Sequence, residues 1–374
     1  MKIVIAPDSF KGSASSSEIS DWLENGISQS ELSDNESFNL EIIKIAIADG
    51  GEGSLDSVLP AGFNSHSFSV TGPVGNKVKA RIGIKGDIAL VELAEASGLS
   101  QLPEKKLSPL LATSFGTGEL ILRALDLGAK KIILAVGGSA CTDAGAGALQ
   151  ALGGHLLDAE GNEIALGGAA LSQCTTIDLN NLDSRLRSTE FILASDVDNP
   201  LLGTTGAAAI YAPQKGASTS EVALLEAALM HFADLAGTSH VSTAGSGAAG
   251  GFGFMAYTFL DASHRSGIDT FIELTEFESK CVGANLVITG EGMYDSQSLS
   301  GKAPIGIYAV ASRHNIPVAL VCGQAKLNSS LENAPDFAKI YTLTSYESDI
   351  RKCIENPRPI IEKIGQSIAQ ELLS

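Results

Sequence analysis

The feature that most limits what this chain can fold into is a junction that recurs along it. A short apolar strand ends in glycine and an acid, and a helix pattern follows. Its fullest form is ITGEGMYDSQSLSGKAP at 288–304, where the apolar run NLVITG leads into what reads as a loop. The loop has Gly290, Gly292 and Gly301, the carboxylates Glu291 and Asp295, and Lys302 beside Pro304. A helix pattern then begins, with Ile305, Tyr308 and Ala309 on one face and Asn315 as its C-terminal stop. Strand, glycine loop, acids, lysine and helix N-terminus are together what a phosphate and its metal ion need. By composition the same loop could be a tight surface connection with solvated charges. Acids and a lysine crowded at an αβ junction favour function.

The same junction opens the chain. KIVIA is followed by Asp8, Ser9, Lys11 and Gly12; Ser15 and Glu18 then have capping-box spacing, and Ile19, Trp22, Leu23 and Ile27 mark a helical face. A second run, EIIKIAIA, meets ADGGEGS at 48–54 and a short helix around Leu55, Val58 and Leu59. Two strand–loop–helix units in succession predict parallel α/β. Near residue 70 the texture changes. VKARIGI and IALVELA flank Lys85-Gly86-Asp87 as a β-hairpin. Thr117 is expected to cap a helix that buries Leu120, Ile121, Ala124 and Leu125 and stops at Gly128. Strand KIILAVGG, a small-residue helix at 144–152, a hairpin-like GGHLLDAEGNEIAL, strand EFILAS and a helix near 221–236 follow, while 167–189 shows no clear period. From about residue 282 the alternation returns in NLVITG, PVALVCG and KIYTLTS. The expected fold class is therefore α/β in two domains. A parallel domain is built from both chain ends, 1–74 plus 284–374, and a mixed domain, 75–283, is inserted.

Composition narrows the function classes. At 374 residues the chain has room for two or three domains. Its net charge of −18 argues against a nucleic-acid surface or an anionic membrane partner, and an anionic substrate must meet local cations and backbone N–H groups. Five widely spaced cysteines form no CxxC or Cys/His pattern, so neither a structural zinc nor a disulfide framework is indicated. MKIVIAPDSF is too short in its apolar run for a signal peptide, which makes a cytoplasmic location the expectation.

In open parallel sheets, ligands bind beyond the carboxyl ends of the strands. Asp8, Asp49, Asp143, Asp196 and Glu291 each follow a predicted strand. One such acid is ordinarily a helix cap. Five of them, near glycines and near Lys11, Lys215 and Lys302, point to a shared polar cleft between two domains. Mg²⁺ would take one or two carboxylates there, and phosphoryl transfer needs cations and a group that orients the acceptor hydroxyl. There is no GxxxxGK[ST] P-loop, protein-kinase catalytic loop, HExxH or GxSxG. One GxGxxG, at Gly245, Gly247 and Gly250 with Asp269 beyond, keeps a nicotinamide-dependent oxidoreductase open as an alternative, although VSTA before it is a poor strand. A non-catalytic small-molecule binding protein is the other alternative.

Seven blocks resemble the type-1 glycerate kinase family: APDSFKGS (6–13), ADGGEGS (48–54), SFGTGELI (114–121), GGSACTDAGAGALQALG (137–153), SDVDNPLLGTTGAAAIYAPQKGA (195–217), GAAGGFG (247–253) and ITGEGMYDSQSLSGKAPIG (288–306). They span essentially the whole chain in order. The resemblance implies two α/β domains, the flavodoxin-like one built from both chain ends, and ATP-dependent phosphorylation of D-glycerate with Mg²⁺ to 2-phosphoglycerate, with 3-phosphoglycerate the less favoured product. Met293 stands where the family usually has arginine, removing a cation; Ser195, Phe115, Cys141 and Ala14 are further departures. By residue type and position, Asp196 is the first choice to orient or deprotonate the acceptor and Asp49 the second, with Lys11 and Lys302 balancing charge. Asp295 and Glu291 are expected to hold Mg²⁺. Asp8, Ser9, Gly50, Gly51, Gly137, Gly138, Ser139, Asp143 and Lys215 are expected around substrate and ATP. The partners expected are D-glycerate and ATP, with no nucleic acid, no membrane, and a homodimer as the candidate assembly.

Overall fold

Along KIVIAP, alternate side chains enter two different cores: Ile3 and Ile5 face one, Val4 and Ala6 the other, and all four are fully buried. A strand apolar on both faces has to lie in a sheet covered by helices on both sides. The structure, a computed structural model, describes residues 1–30, 40–296, 298, 302–326 and 335–373. Among these the strands in chain order are β1 (Lys2–Pro7), β2 (Glu41–Lys44), β3 (Asn64–Thr71), β4 (Lys77–Lys85), β5 (Ile88–Glu92), β6 (Lys131–Ala135), β7 (His155–Leu157), β8 (Thr176–Asp178), β9 (Glu190–Ala194), β10 (Ser263–Arg265), β11 (Leu286–Tyr294), β12 (Val318–Ala325) and β13 (Lys339–Thr342). No described helix is long and apolar enough to cross a membrane. The chain divides into two units: Met1–Asp49, Asp56–Ala61 and Ile268–Ser374 form the first, Gly50–Leu55 and Gly62–Gly267 the second.

The first unit is a five-stranded parallel sheet in the order β13-β12-β11-β1-β2. Connections lead from β1 to β2 on one side and from β11 to β12 and β13 on the other, so the order reverses between β1 and β11. A reversal of this kind opens a crevice at the carboxyl edge. The helices Ser16–Ser28 and Arg358–Leu372 cover one face, the first capped reciprocally by Ser15 and Glu18 as their spacing predicts. These helices meet at Gly26, where a Cβ would lie 2.1 Å from the Glu362 carbonyl oxygen. Gly267–Leu274, Phe277–Cys281 and Ala303–Arg313 cover the other face.

Two local expectations change here. The supposed loop after NLVITG is strand: β11 continues to Tyr294, pairing Met293 with Gln324 and Tyr294 with Ala325. Gly290 permits a close approach of β12, since a Cβ on it would lie 2.4 Å from the Val321 carbonyl oxygen. The helix after it buries Ala303, Ile307, Val310 and Ala311, leaving Ala309 exposed, and ends before Asn315, which has φ +56°. Gly301 lies outside the described residues.

The second unit holds a six-stranded sheet in the order β10-β9-β6-β5-β4-β3, parallel from β10 to β5 and antiparallel beyond, plus the small β7–β8 ladder. The hairpin at Gly86-Asp87 forms as read, with Lys85 opposite Ile88. β3 pairs with β4 along its length, Asn64 opposite Ile84 through Thr71 opposite Lys77, which draws 64–71 into the second unit. At the other join, Ile268, Ile272, Phe277 and Cys281 pack into a first-unit core. The helix Phe115–Asp126 takes Ser114, not Thr117, as its N-cap position, and the Ser114 hydroxyl is turned to Asp143.

Candidate active site

On the first unit, a pocket of about 340 Å³ lies along the carboxyl edge of the sheet. Its lining follows the strand ends: Asp8, Ser9 and Lys11 after β1, Asp49 after β2, Glu291 and Met293 in β11, Gln324 in β12, Leu343 and Thr344 after β13, with Lys302 before the next helix. Asp8 is positioned by its own backbone, whose N–H donates to the Gly290 carbonyl at 2.8 Å and so extends the β1–β11 ladder. Its carboxylate accepts from the Ser9 N–H at 2.7 Å. Burial, and then the neighbouring Asp49 carboxylate, push its pKa up to about 7, against the opposing pull of the Ser9 N–H and Lys11. Glu291 is 6% exposed, and its Oε1 is buried without a hydrogen-bond partner. Burial pushes it up to about 7 as well, with the Ser298 hydroxyl and Lys302 pulling back and Asp295 and Asp49 adding to the rise. The Lys11 Nζ stands 3.7 Å from Asp49 Oδ2 on a side chain that is 71% exposed, a weak pair whose cation can turn to a ligand.

Crowded carboxylates with raised pKa values and one orphaned oxygen are what a divalent cation would relieve. Glu291, which carries the orphaned oxygen, therefore fits Mg²⁺, which needs few protein ligands when phosphate oxygens and water supply the rest. No three His, Cys, Asp or Glu side chains among the described residues make a ready metal cage. Asp295 does not line the pocket, and its amide donates to the Ser298 hydroxyl at 3.1 Å. Met293, 41% exposed, occupies the pocket wall where a cation was missing from the sequence.

On the second unit, a pocket of about 130 Å³ lies at the ends of β6 and β9, lined by Gly137, Gly138, Ser139, Ser195, Tyr211, Gln214 and Lys215 among others. Lys215 is 2% exposed, and its Nζ donates to the Ser139 hydroxyl at 2.8 Å and the Cys141 carbonyl at 2.5 Å. Burial pulls its pKa down. The Gly137 N–H donates to the Gly50 carbonyl at 2.9 Å, and a Cβ on Gly137 would lie 2.5 Å from Gly51 Cα. Gly50 and Gly51 thus brace the turn and do not line the pocket.

Asp143 and Asp196 also stand outside both linings. Asp143 is fully buried and accepts from the Ser114 N–H at 2.8 Å and hydroxyl at 2.9 Å, from the Thr113 hydroxyl, and from the N–H groups of Gly145 and Gly147. These donors fix its carboxylate in place. The Asp196 carboxylate accepts from the Ser266 hydroxyl at 2.9 Å and the Gly267 N–H at 2.8 Å, tying the ends of β9 and β10 at the start of Gly267–Leu274. Sequence reading passed over Glu92, 3% exposed, which accepts from Gly53 N–H at 2.9 Å and Leu55 N–H at 2.8 Å and so shapes the ADGGEGS turn. The signal was present, since IALVE is another apolar strand ending in an acid.

The GxGxxG stretch lacks the context of a dinucleotide fingerprint, because 239–247 is a series of turns and not a strand. Its glycines serve packing: Gly250, at φ +70°, would put a Cβ 2.2 Å from the Cys141 carbonyl oxygen.

A five-stranded sheet with its crevice at the β1–β11 reversal, carrying carboxylates and lysines, defines an α/β protein equipped for phosphoryl chemistry. The glycerate kinase family model matches residues 3–373, and the chain belongs to that family. A curated relative from Bacillus subtilis (strain 168), named glycerate kinase, is 42% identical over 100% of this chain and 98% of its own length. One from Escherichia coli (strain K12), named glycerate 2-kinase, is 45% identical over 86% of this chain and 85% of its own. A crystal structure of a protein assigned as glycerate kinase 2 from Salmonella typhimurium LT2 superposes with a TM-score of 0.82 at 40% identity, covering 100% of this chain and 98% of that one.

Proposed function

We propose that the chain transfers the γ-phosphoryl group of ATP to the C2 hydroxyl of D-glycerate, giving 2-phosphoglycerate and ADP. The observation that carries this reading is the pairing of Asp8, Asp49 and Glu291 with Lys11 and Lys302 around one strand-end pocket, in a chain of this family. The acceptor oxygen bonds to the γ-phosphorus, the bond from that phosphorus to the β,γ-bridging oxygen breaks, and the hydroxyl proton passes to a carboxylate. Asp8 is our choice for that carboxylate, because a pKa near neutrality suits a general base, with Asp49 beside it. Lys11 and Lys302 balance charge on the phosphates, and Glu291 would hold the metal ion directly or through water. Mg²⁺, when bound, neutralises phosphate charge at this edge. Asp295, outside the pocket lining, adds negative charge near Glu291 that the metal ion would offset. On the second unit Lys215, Ser139 and the turn at Gly137 and Gly138 receive an anionic group, carboxylate or phosphate. Asp196 serves to hold the start of its helix.

The product tests the proposal. After incubation with Mg-ATP and D-glycerate, proton-coupled ³¹P NMR is expected to show a new phosphomonoester split into a doublet by the single C2 proton. A triplet would reassign the reaction to the C3 hydroxyl. Absence of any new phosphomonoester from folded protein would leave a binding role.

A further inference from the structure

The first-unit pocket is longer and more varied than a three-carbon acid requires. Strands in a sheet lie about 4.8 Å apart, so the edge from β1 across β11 and β12 to β13 runs on the order of 14 Å. Along that edge the lining changes character. Charged groups gather at β1, β2 and β11, Gln324 follows at β12, and Leu343 and Thr344 at β13, with Ile350 and Ile354 completing the wall. Ile350 and Ile354, one turn apart on the helix Ile350–Glu355, are 50% and 49% exposed, while Cys353 beside them is buried. Large apolar side chains spaced to share one helix face and left half in solvent at a pocket wall are incompletely covered by the described residues. The helix is also tied to the charged end: the Ser13 hydroxyl donates to the Ile354 carbonyl at 2.7 Å, from the loop that carries Asp8 and Lys11.

We propose that this apolar end is a subsite for the purine ring of the nucleotide, with the phosphates directed along the edge toward Lys11 and Lys302. Gln324 and Thr344 offer the polar groups that the ring edge needs. The inference rests on the reading of the chain as an ATP-dependent kinase, and it assigns the nucleotide to the first unit.

The test is binding without turnover. ADP and inorganic triphosphate are each titrated calorimetrically, with Mg²⁺, into the wild-type chain, Ile350→Asp and Ile354→Asp. Both positions are half exposed, so both variants are expected to fold, and a melting curve checks this. ADP affinity is expected to fall roughly tenfold or more in each variant, with triphosphate affinity unchanged. Should a charged variant melt early, Ile354→Ala in the same titration is expected to weaken ADP several-fold. Unchanged ADP affinity in folded variants, or wild-type ADP binding no tighter than triphosphate, would overturn the subsite. Failure of the kinase reading looks different, since ADP would still bind and lose affinity in the variants while D-glycerate remained unphosphorylated.

Discussion

The two pockets hold their functional groups by opposite means. In the first unit, carboxylates and lysines gather at strand ends, with Glu291 buried and Lys11 exposed, and the nearest atom to a Cβ placed on Gly292 would be 3.5 Å away, an ordinary contact. In the second, the pocket is walled by backbone packed on backbone, and its single lining lysine is buried and already hydrogen-bonded. Chemistry and shape therefore reside in different pockets. Carboxylates whose pKa values are raised toward neutrality by burial can exchange protons and partners. A glycine-built turn can only present fixed donors.

The largest effect expected from this contrast is on turnover. Asp8→Asn should lower kcat by roughly 10²–10⁴-fold while leaving the KM for ATP within a few-fold. Asp196→Asn should lower the melting temperature and leave kcat nearly intact, because its carboxylate is engaged with Ser266 and Gly267. The reverse pattern in steady-state kinetics and melting curves would restore Asp196 as the base.

Next comes anion binding at the second pocket. Lys215→Met keeps the bulk but removes the charge, and it should raise the KM of the anionic group bound there by roughly tenfold or more. A smaller effect separates the two kinds of glycine. Gly250→Ala, at φ +70° and with 2.2 Å to the Cys141 carbonyl oxygen, should cost about 1–3 kcal/mol of stability. Gly292→Ala should change chemical denaturation little.

The smallest effect is on pH dependence. The Glu291 pKa is raised from 4.5 to about 7, so the folded chain holds that proton more tightly than the unfolded chain does. Its stabilising contribution is full below its ordinary pKa and is lost as pH rises through about 7. The melting temperature of metal-free protein should therefore fall by a few degrees between about pH 5 and about pH 8, and by less in Glu291→Gln. Mg²⁺ should raise it more at the higher pH. A metal effect independent of pH would detach Glu291 from the metal.

Much of the first unit was legible because its signals are local. KIVIA alternates into two cores, and Ser15 with Glu18 forms the capping box that their spacing announces. β11 was cut short in the reading because Gly290, Glu291 and Gly292 look like loop chemistry. Gly290 in fact lets β12 approach closely, and buried Tyr294 ends the strand. In the second unit, Asp143 and Asp196 shared the strand-then-acid signature of Asp8, and no local pattern tells a carboxylate engaged by buried donors from one facing a pocket. That distinction depends on Ser114 and Ser266, far away in sequence. Ile350 and Ile354 carried no signal singled out in the sequence, because the packing that leaves them exposed at a pocket wall is tertiary.

The most direct measurement of the central claim is ADP release in a coupled assay with Mg-ATP and D-glycerate. The expected result is release that depends on D-glycerate and is greatly reduced in folded Asp8→Asn. Release no higher than with ATP alone, from folded wild-type protein, would contradict the assignment.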